Sequence, residues 1–232
     1  TLRVRGTPAL PDEWPARLLA RAARDDIEPG HYLVLDNPRG TLSGFVFVTD
    51  PVLGVVDGPT GLIRFTYAVG INGDDVEQML SWDPLKFAAF VGDRVPLGLT
   101  STDRAPISAD PQDRALLDEA VGSEGASIGA MHARYLEVDA EGRVDLDPAA
   151  ARALLRAARH RLLHGRSFAL LNGDTWLLLN PQSPTTECAS DHVVVPATAE
   201  FAHELLAIFD VVPGVYRLRT APLEFRVVDP TT

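Results

Sequence analysis

The stretch RFTYAVGINGDDVEQMLSWD, residues 64–83, joins a strand pattern directly to a helix pattern. From Phe65 to Ile71 apolar side chains take every second position, which is typical of a β-strand. After the short link Asn-Gly-Asp-Asp, the apolar residues switch to helical spacing. Asp74 and Glu77 have the spacing of a capping box, so we expect these acids to bind free amides at the helix start. The sequence therefore predicts a central strand over residues 62–71, followed at once by a capped helix.

Composition limits the class of protein. The chain has 232 residues, of which 46% are hydrophobic and 23% charged, as is usual for a globular protein of one or two domains. No apolar run is long enough to cross a membrane, and no signal peptide is visible. The single cysteine, Cys188, excludes an internal disulfide and favours a cytoplasmic location. Because the first residue is Thr1 and TLRVRG has strand character, we expect an upstream part of the protein to be missing and residues 1–5 to form an edge open to pairing.

The charge balance restricts the partner. The chain carries 32 acidic against 21 basic residues, a net charge of −11. That charge argues against binding to nucleic acid or to anionic membranes. It favours attraction of a basic protein partner, with the acidic runs at 110–124 and 137–147 as candidate attractors.

Helix and strand patterns alternate irregularly along the chain. Helices are predicted over 12–24, 83–91, 110–121, 147–165 and 198–210, and a hairpin over 167–181 around Asn172-Gly173. Further strands are predicted over 31–36, 44–48, 95–101, 130–138, 192–195 and 214–220. The segment GSEGASIG, residues 122–129, marks a domain boundary. These patterns predict an α+β fold with two packed domains, 1–124 and 125–232, each with a mostly antiparallel or mixed sheet and flanking helices.

Two motifs could carry enzyme chemistry. Ser127 lies in GASIG, which fits the G-x-S-x-G nucleophile elbow, but that motif needs a strand before the serine and a helix after it. His160 and His164 lie one helical turn apart and could share zinc with Cys188 and His192, although the glutamate of H-E-x-x-H is missing. Neither motif is convincing, so we expect no catalytic residue, no metal and no cofactor.

The segment DGPTGLIRFTYAVGINGDDVEQMLSWD resembles the signature of the suppressor of fused family. The segments WPARLLARAAR and LGLTSTDR upstream and downstream of it are similar to family segments in the same order, as are RLLHGRSFALLNGDTWLLL and TAEFAHELLAIFD. The resemblance implies two α+β domains that bind a protein partner and have no enzymatic activity. In animal members, an extended peptide of a Gli transcription factor is held as an added strand between the domains. Bacterial members are proposed to be immunity proteins that neutralise toxins.

The resemblance also implies where the partner binds. The first strand of the second domain corresponds to Ala130, Met131 and His132, and the facing strand to His31 and Tyr32. His31 stands where animal members have a partner-binding aspartate, and the long insertion between the halves is missing. The leading hypothesis is a bacterial immunity protein whose partner is a basic toxin domain or an extended peptide. The alternatives are an adaptor that sequesters an endogenous peptide or regulator and, more distantly, a hydrolase or zinc enzyme using Ser127 or His160 and His164.

Overall fold

The computed structural model of the protein describes residues 1–5, 13–59 and 61–229. The chain forms two compact units, Thr1–Ala120 and Val121–Thr232. The division falls inside a helix, whereas the sequence places the domain boundary after residue 124. No helix within the described ranges is long and apolar enough to cross a lipid bilayer.

The first unit contains an antiparallel sheet in the order β1-β2-β5 and a separate hairpin of β3 and β4. Helix α1 begins at Trp14 with Pro15 in its first turn, and the Trp14 ring packs 6.0 Å from that of Phe45 on the sheet. The elements of this unit are α1 (Trp14–Arg24), β1 (Tyr32–Arg39), β2 (Leu42–Thr49), β3 (Val55–Gly58), β4 (Gly61–Arg64), β5 (Thr66–Asn72), α2 (Asp75–Ser81), α3 (Pro84–Arg94) and α4 (Pro111–Glu124).

The strand pattern over 62–71 belongs to two strands rather than one. Phe65 separates β4, which pairs only within its hairpin, from β5, which pairs with β2. β5 is buried on both faces from Tyr67 to Asn72. Its alternating sequence pattern therefore does not distinguish a solvent-exposed face from a buried one. It ends the three-strand order, with Leu2 bridged to Ala68 on its other side.

Residues 1–5 are extended, as predicted, but they do not form an open edge beside β5. The Thr1 carbonyl accepts from the Ala68 amide, and the Arg3 carbonyl accepts from the Thr100 amide at 2.8 Å. Val4 forms an isolated bridge with Thr100. The segment therefore lies between β5 and Thr100.

The predicted capping box at the start of α2 lacks the hydrogen bond expected from the side chain of Asp74. Asp74 is the N-cap residue, but its side chain makes no capping hydrogen bond. The next residue, Asp75, is fully buried, and its carboxylate accepts from the amides of Ile107 and Ser108 at 2.7 and 2.9 Å. Arg104 lies 4.0 Å from the same carboxylate. The acid therefore fixes a distant loop to the helix instead of capping it.

The second unit contains a five-stranded sheet in the order β11-β12-β10-β9-β6 and a four-stranded sheet in the order β13-β14-β8-β7. Both are mixed, because β6–β9, β10–β12 and β8–β14 are parallel pairs among antiparallel ones. The elements are β6 (Ala130–His132), β7 (Leu136–Val138), β8 (Arg143–Leu146), α5 (Pro148–His160), β9 (Phe168–Asn172), β10 (Thr175–Asn180), β11 (Glu187–Cys188), β12 (His192–Pro196), α6 (Ala199–Ile208), β13 (Gly214–Arg217) and β14 (Glu224–Val227).

Helix α5 lies at the centre of this unit's core. Its small apolar stripe, including Ala151, Leu154 and Ala158, is completely buried together with residues from both sheets. Asp147 caps the helix by accepting from the amides of Ala149 and Ala150. Its second oxygen accepts from the amides of the segment before β7 at 3.0 Å, so one buried carboxylate fixes both the helix and that segment.

The α+β fold class is confirmed, with sheets and helices in both units. Three further local predictions were wrong. Residues 95–101 contain a 3-10 turn at Pro96–Gly98 rather than a strand. Residues 130–138 are two strands, β6 and β7, because the chain leaves one sheet and enters the other between them. The helical spacing from Phe201 and Leu205 predicts a buried Ile208, but Ile208 is 41% exposed and Phe209 is buried in its place.

Candidate functional site

Strand β6 forms an edge of the five-stranded sheet in the second unit. The Gly129 carbonyl accepts from the Ala169 amide at 2.9 Å, and the Ala133 amide donates to the Leu171 carbonyl at 2.8 Å. Backbone groups of alternate residues face the same side of a strand, so those of Ala130 and His132 point away from β9. Both residues are exposed, and no backbone bond joins them to another described residue on that side. This edge can therefore pair with an added strand.

The side chains of β6 point to opposite faces of the sheet. Met131 is in register with the buried Leu170 and packs against the core of the unit. Ala130 and His132 lie on the other face, in register with Ala169 and Leu171. Of the three predicted residues, Ala130 and His132 are available to a ligand at this face, whereas the partly buried Met131 packs against the core on the other face.

The outer face of this sheet carries a row of side chains that begins at His132. Register across three strand pairs continues the row through Leu171, Trp176 and His192. Trp176 and His192 are stacked, with ring centroids 4.5 Å apart and planes 8° from parallel, and Nδ1 of His192 lies 2.8 Å from Asp191. All but the exposed His132 are half-buried. The row offers an apolar surface with an imidazole at each end, and each imidazole can donate or accept a hydrogen bond with a ligand.

His31 and Tyr32 lie together at the start of β1 in the first unit. His31 is exposed, and its Nδ1 accepts from the Glu28 amide at 3.2 Å, which leaves Nε2 to carry the proton. The His31 carbonyl accepts from the Phe47 amide at 2.9 Å. Tyr32 is half-buried and in register with Val46. β1 ends the three-strand order, so these two predicted residues also lie on an edge strand.

The enzyme motifs do not form active-site geometry. Ser127 lies in an extended segment after α4 and before β6, the reverse of the strand-to-helix turn that a nucleophile elbow requires. Burial lowers the pKa of His160 to about 4, helped by the positive charge of Arg159. Burial also raises the pKa of the Cys188 thiol. Within the described ranges, no three His, Cys, Asp or Glu side chains are grouped closely enough to hold a metal ion.

Comparison with solved structures identifies the fold. The crystal structure of Drosophila Suppressor of Fused aligns with 97% of this chain and 72% of its own length, with a TM-score of 0.68 and 17% sequence identity. This chain has the Suppressor of Fused fold. The structure of the Sufu-Fu complex aligns with 49% of this chain and 53% of its own length at 26% identity, with a TM-score of 0.36, which is too low to support an argument. No protein-family model and no curated protein matches the sequence.

The resemblance seen in the sequence is thus confirmed at the level of the Suppressor of Fused fold. The site residues inferred from it stay predictions, since a likeness of 17% identity establishes architecture and not binding.

Sequence reasoning missed two sets of residues around β6. Leu171 joins β6, and His192 joins Trp176, through parallel pairing that no short-range pattern reveals, whereas Leu171 and Trp176 face each other across the predicted hairpin. Arg161 and Arg166 lie beside the segment leading into β6, where both donate to the Ala126 carbonyl. A signal for the arginines was present: residues 148–173 contain no Asp or Glu, in a chain with a net charge of −11.

Proposed function

We propose that this chain is a protein-binding module without catalytic activity, which receives an extended segment of a partner protein on the outer edge of β6. The observation that carries the proposal is that edge, where Ala130 and His132 present exposed backbone groups. The Suppressor of Fused fold supports it, because the family resemblance implies a partner bound as an added strand.

In strand addition, backbone groups would supply affinity and side chains would supply selectivity. The amide and carbonyl groups of Ala130 and His132 would bind any extended segment, with each hydrogen bond contributing about 1 kcal/mol net. His132 would contact alternate side chains of that segment, since successive residues of a strand face opposite ways, and Leu171 and Trp176 would extend the same face on the strands behind β6. Apolar side chains there would gain roughly 25 cal/mol for each Å² removed from water.

The more specific proposal is an immunity protein that neutralises a toxin. The resemblance to bacterial members of the family and the net charge of −11, which suits a basic toxin, support it. The alternative is an adaptor that sequesters an endogenous peptide, and strand addition would serve it equally well. Both roles are compatible with a cytoplasmic location.

The replacement Ala130→Pro tests the strand edge. Proline removes the outward amide of residue 130, which makes no hydrogen bond to β9, so the pairing of β6 with β9 should survive. An added strand would lose this hydrogen-bond donor and would clash with the proline ring. Ala140→Pro is the matched control, since Ala140 is exposed in the turn between β7 and β8. His132→Pro provides a second block on the same edge.

The immunity role requires a toxin gene beside the gene of this protein, and the readout is growth of cells that produce that toxin. We expect rescue by the wild type and by Ala140→Pro, and loss of rescue with Ala130→Pro at an unchanged melting temperature. Absence of both toxin binding and rescue with the wild type would refute the immunity role and favour the adaptor. Rescue that survives both edge prolines would refute strand addition at β6.

A further inference from the structure

Two arginine side chains converge on one carbonyl oxygen at the start of the segment that leads into β6. Nη1 of Arg161 donates to the Ala126 carbonyl at 2.8 Å, and Nη1 of Arg166 donates to the same oxygen at 3.2 Å. Nε of Arg161 donates to the Ser167 carbonyl at 2.7 Å. Two positive charges thus share a neutral acceptor.

No carboxylate of the described residues balances these charges by an ion pair with either guanidinium. The surrounding sequence 148–173 contains five arginines and no acid. Arg161 is half-buried, and both burial and the charge of Arg166 lower its pKa. The pair is therefore electrostatically unsatisfied, and an anion placed between the two groups would relieve their repulsion.

The guanidinium groups also retain free donors. Nη2 of Arg161 and the Nε and Nη2 of Arg166 have no acceptor among the residues that the structure describes. Planar N–H groups of this kind match the two oxygens of a carboxylate, and charged hydrogen bonds are about twice as strong as neutral ones.

The pair lies at the N-terminal end of the β6 edge. A Cβ atom on Gly129 would lie 3.2 Å from Nη2 of Arg161, so the guanidinium packs against a residue that has no side chain. The carbonyl of Gly129 begins the ladder to β9, and Ser127, Gly129 and Arg166 are all exposed. A segment added to β6 would pass next to this pair.

We infer that Arg161 and Arg166 anchor a carboxylate of the partner, supplied by an Asp or Glu that flanks the residues paired with β6. The inference rests on the proposed function and adds the chemistry of the segment: alternating apolar residues that end in an acid. It also means that local charge differs from net charge: the protein is acidic overall, but at this point it would bind an acidic group of the partner.

Two synthetic peptides test the anchor. One has the sequence Asp-Val-Thr-Val-Thr-Val-Asp with blocked termini, and the other has Asn at both ends. Chemical shifts of the protein amides measure binding. We expect the Asp peptide to bind about tenfold tighter, as is common for a charged hydrogen-bonded pair, and to shift the amides of Ala126, Ser127 and Ala130.

Variants assign the effect to the two arginines. Arg161→Gln and Arg166→Gln should each reduce the affinity for the Asp peptide to that for the Asn peptide. Arg152→Gln, at an exposed arginine on α5, makes the same charge change and should leave the preference intact. Arg166 is exposed, so its replacement tests the anchor even where loss of Arg161 disturbs folding.

The outcomes separate the anchor from the strand edge. Equal affinity for both peptides, sensitive to Ala130→Pro, would refute the carboxylate anchor and leave the edge standing. Binding of the Asp peptide that is insensitive to Ala130→Pro would refute the edge. Failure of both peptides to bind would refute both. Equal shifts with inorganic phosphate would reassign the pair to small anions and overturn the inference.

Discussion

Two neighbouring aspartates at the start of α2 show how far position decides the role of a residue. Asp74 is exposed and makes no capping bond, whereas Asp75 is fully buried and accepts from two amides of a loop. The capping-box spacing pointed to Asp74, because such patterns register only neighbours within one turn. The partners of Asp75 lie on the loop around Ile107, which no local spacing could identify.

Asp75→Asn should therefore destabilise the first unit by about 2 kcal/mol, because the new NH₂ group would face a buried amide donor and leave it unsatisfied. The loss of charge beside Arg104 adds to the cost. Urea unfolding at neutral pH measures the difference. Asp74→Asn is the matched control and should change stability by less than about 0.5 kcal/mol. A larger effect from Asp74→Asn than from Asp75→Asn would contradict this account.

The helices and strands that could be predicted from the sequence are those bounded by caps or turn residues close to them in the chain. Helix α5 carries its cap at Asp147, the left-handed Gly165 ends the 3-10 turn Leu162–His164 that follows the helix, and the β9–β10 hairpin carries Asn172-Gly173. The parallel pairs β6–β9 and β10–β12 were not predictable, since no short turn joins their strands and fixes the register. The family resemblance predicted that β6 carries the candidate site. That His132 lies on the outer face of the sheet could be seen only in the structure.

Two glycines near the end of α4 should respond in opposite ways to replacement by alanine. Gly122 is exposed inside the helix with open space around its Cα, so Gly122→Ala should stabilise the protein by about 0.5 kcal/mol. Gly125 has a φ of +68°, and a Cβ there would lie 2.5 Å from the His160 carbonyl. Gly125→Ala should therefore cost about 2 kcal/mol or more. Thermal unfolding of both variants is the measurement, and equal effects would show that the turn into Ala126 is not constrained.

At the scale of the whole molecule, charge is distributed unevenly. A net charge of −11 coexists with an acid-free stretch of 148–173 that carries five arginines. Net charge acts at long range on the rate of encounter, whereas the arginine pair would act at contact on the lifetime of the complex.

With a basic toxin as partner, we expect the association rate to fall about tenfold or more between low and high salt, as screening shortens the reach of the field. Stopped-flow mixing over a series of salt concentrations measures this rate. Arg166→Gln should mainly raise the dissociation rate, and Arg152→Gln should change it little. An association rate that is independent of salt would remove long-range steering from the account.

The parallel pairing of β6 with β9 has a consequence for the order of folding. β6 leaves the ribosome before α5 and β9, and its three residues have no sheet to join until the β9–β10 hairpin has closed. As a short edge strand it would also be among the first parts to detach in local unfolding. The edge proposed to bind a partner thus forms only after strands that follow it in the chain, and a partner bound during synthesis would act as a template for that edge.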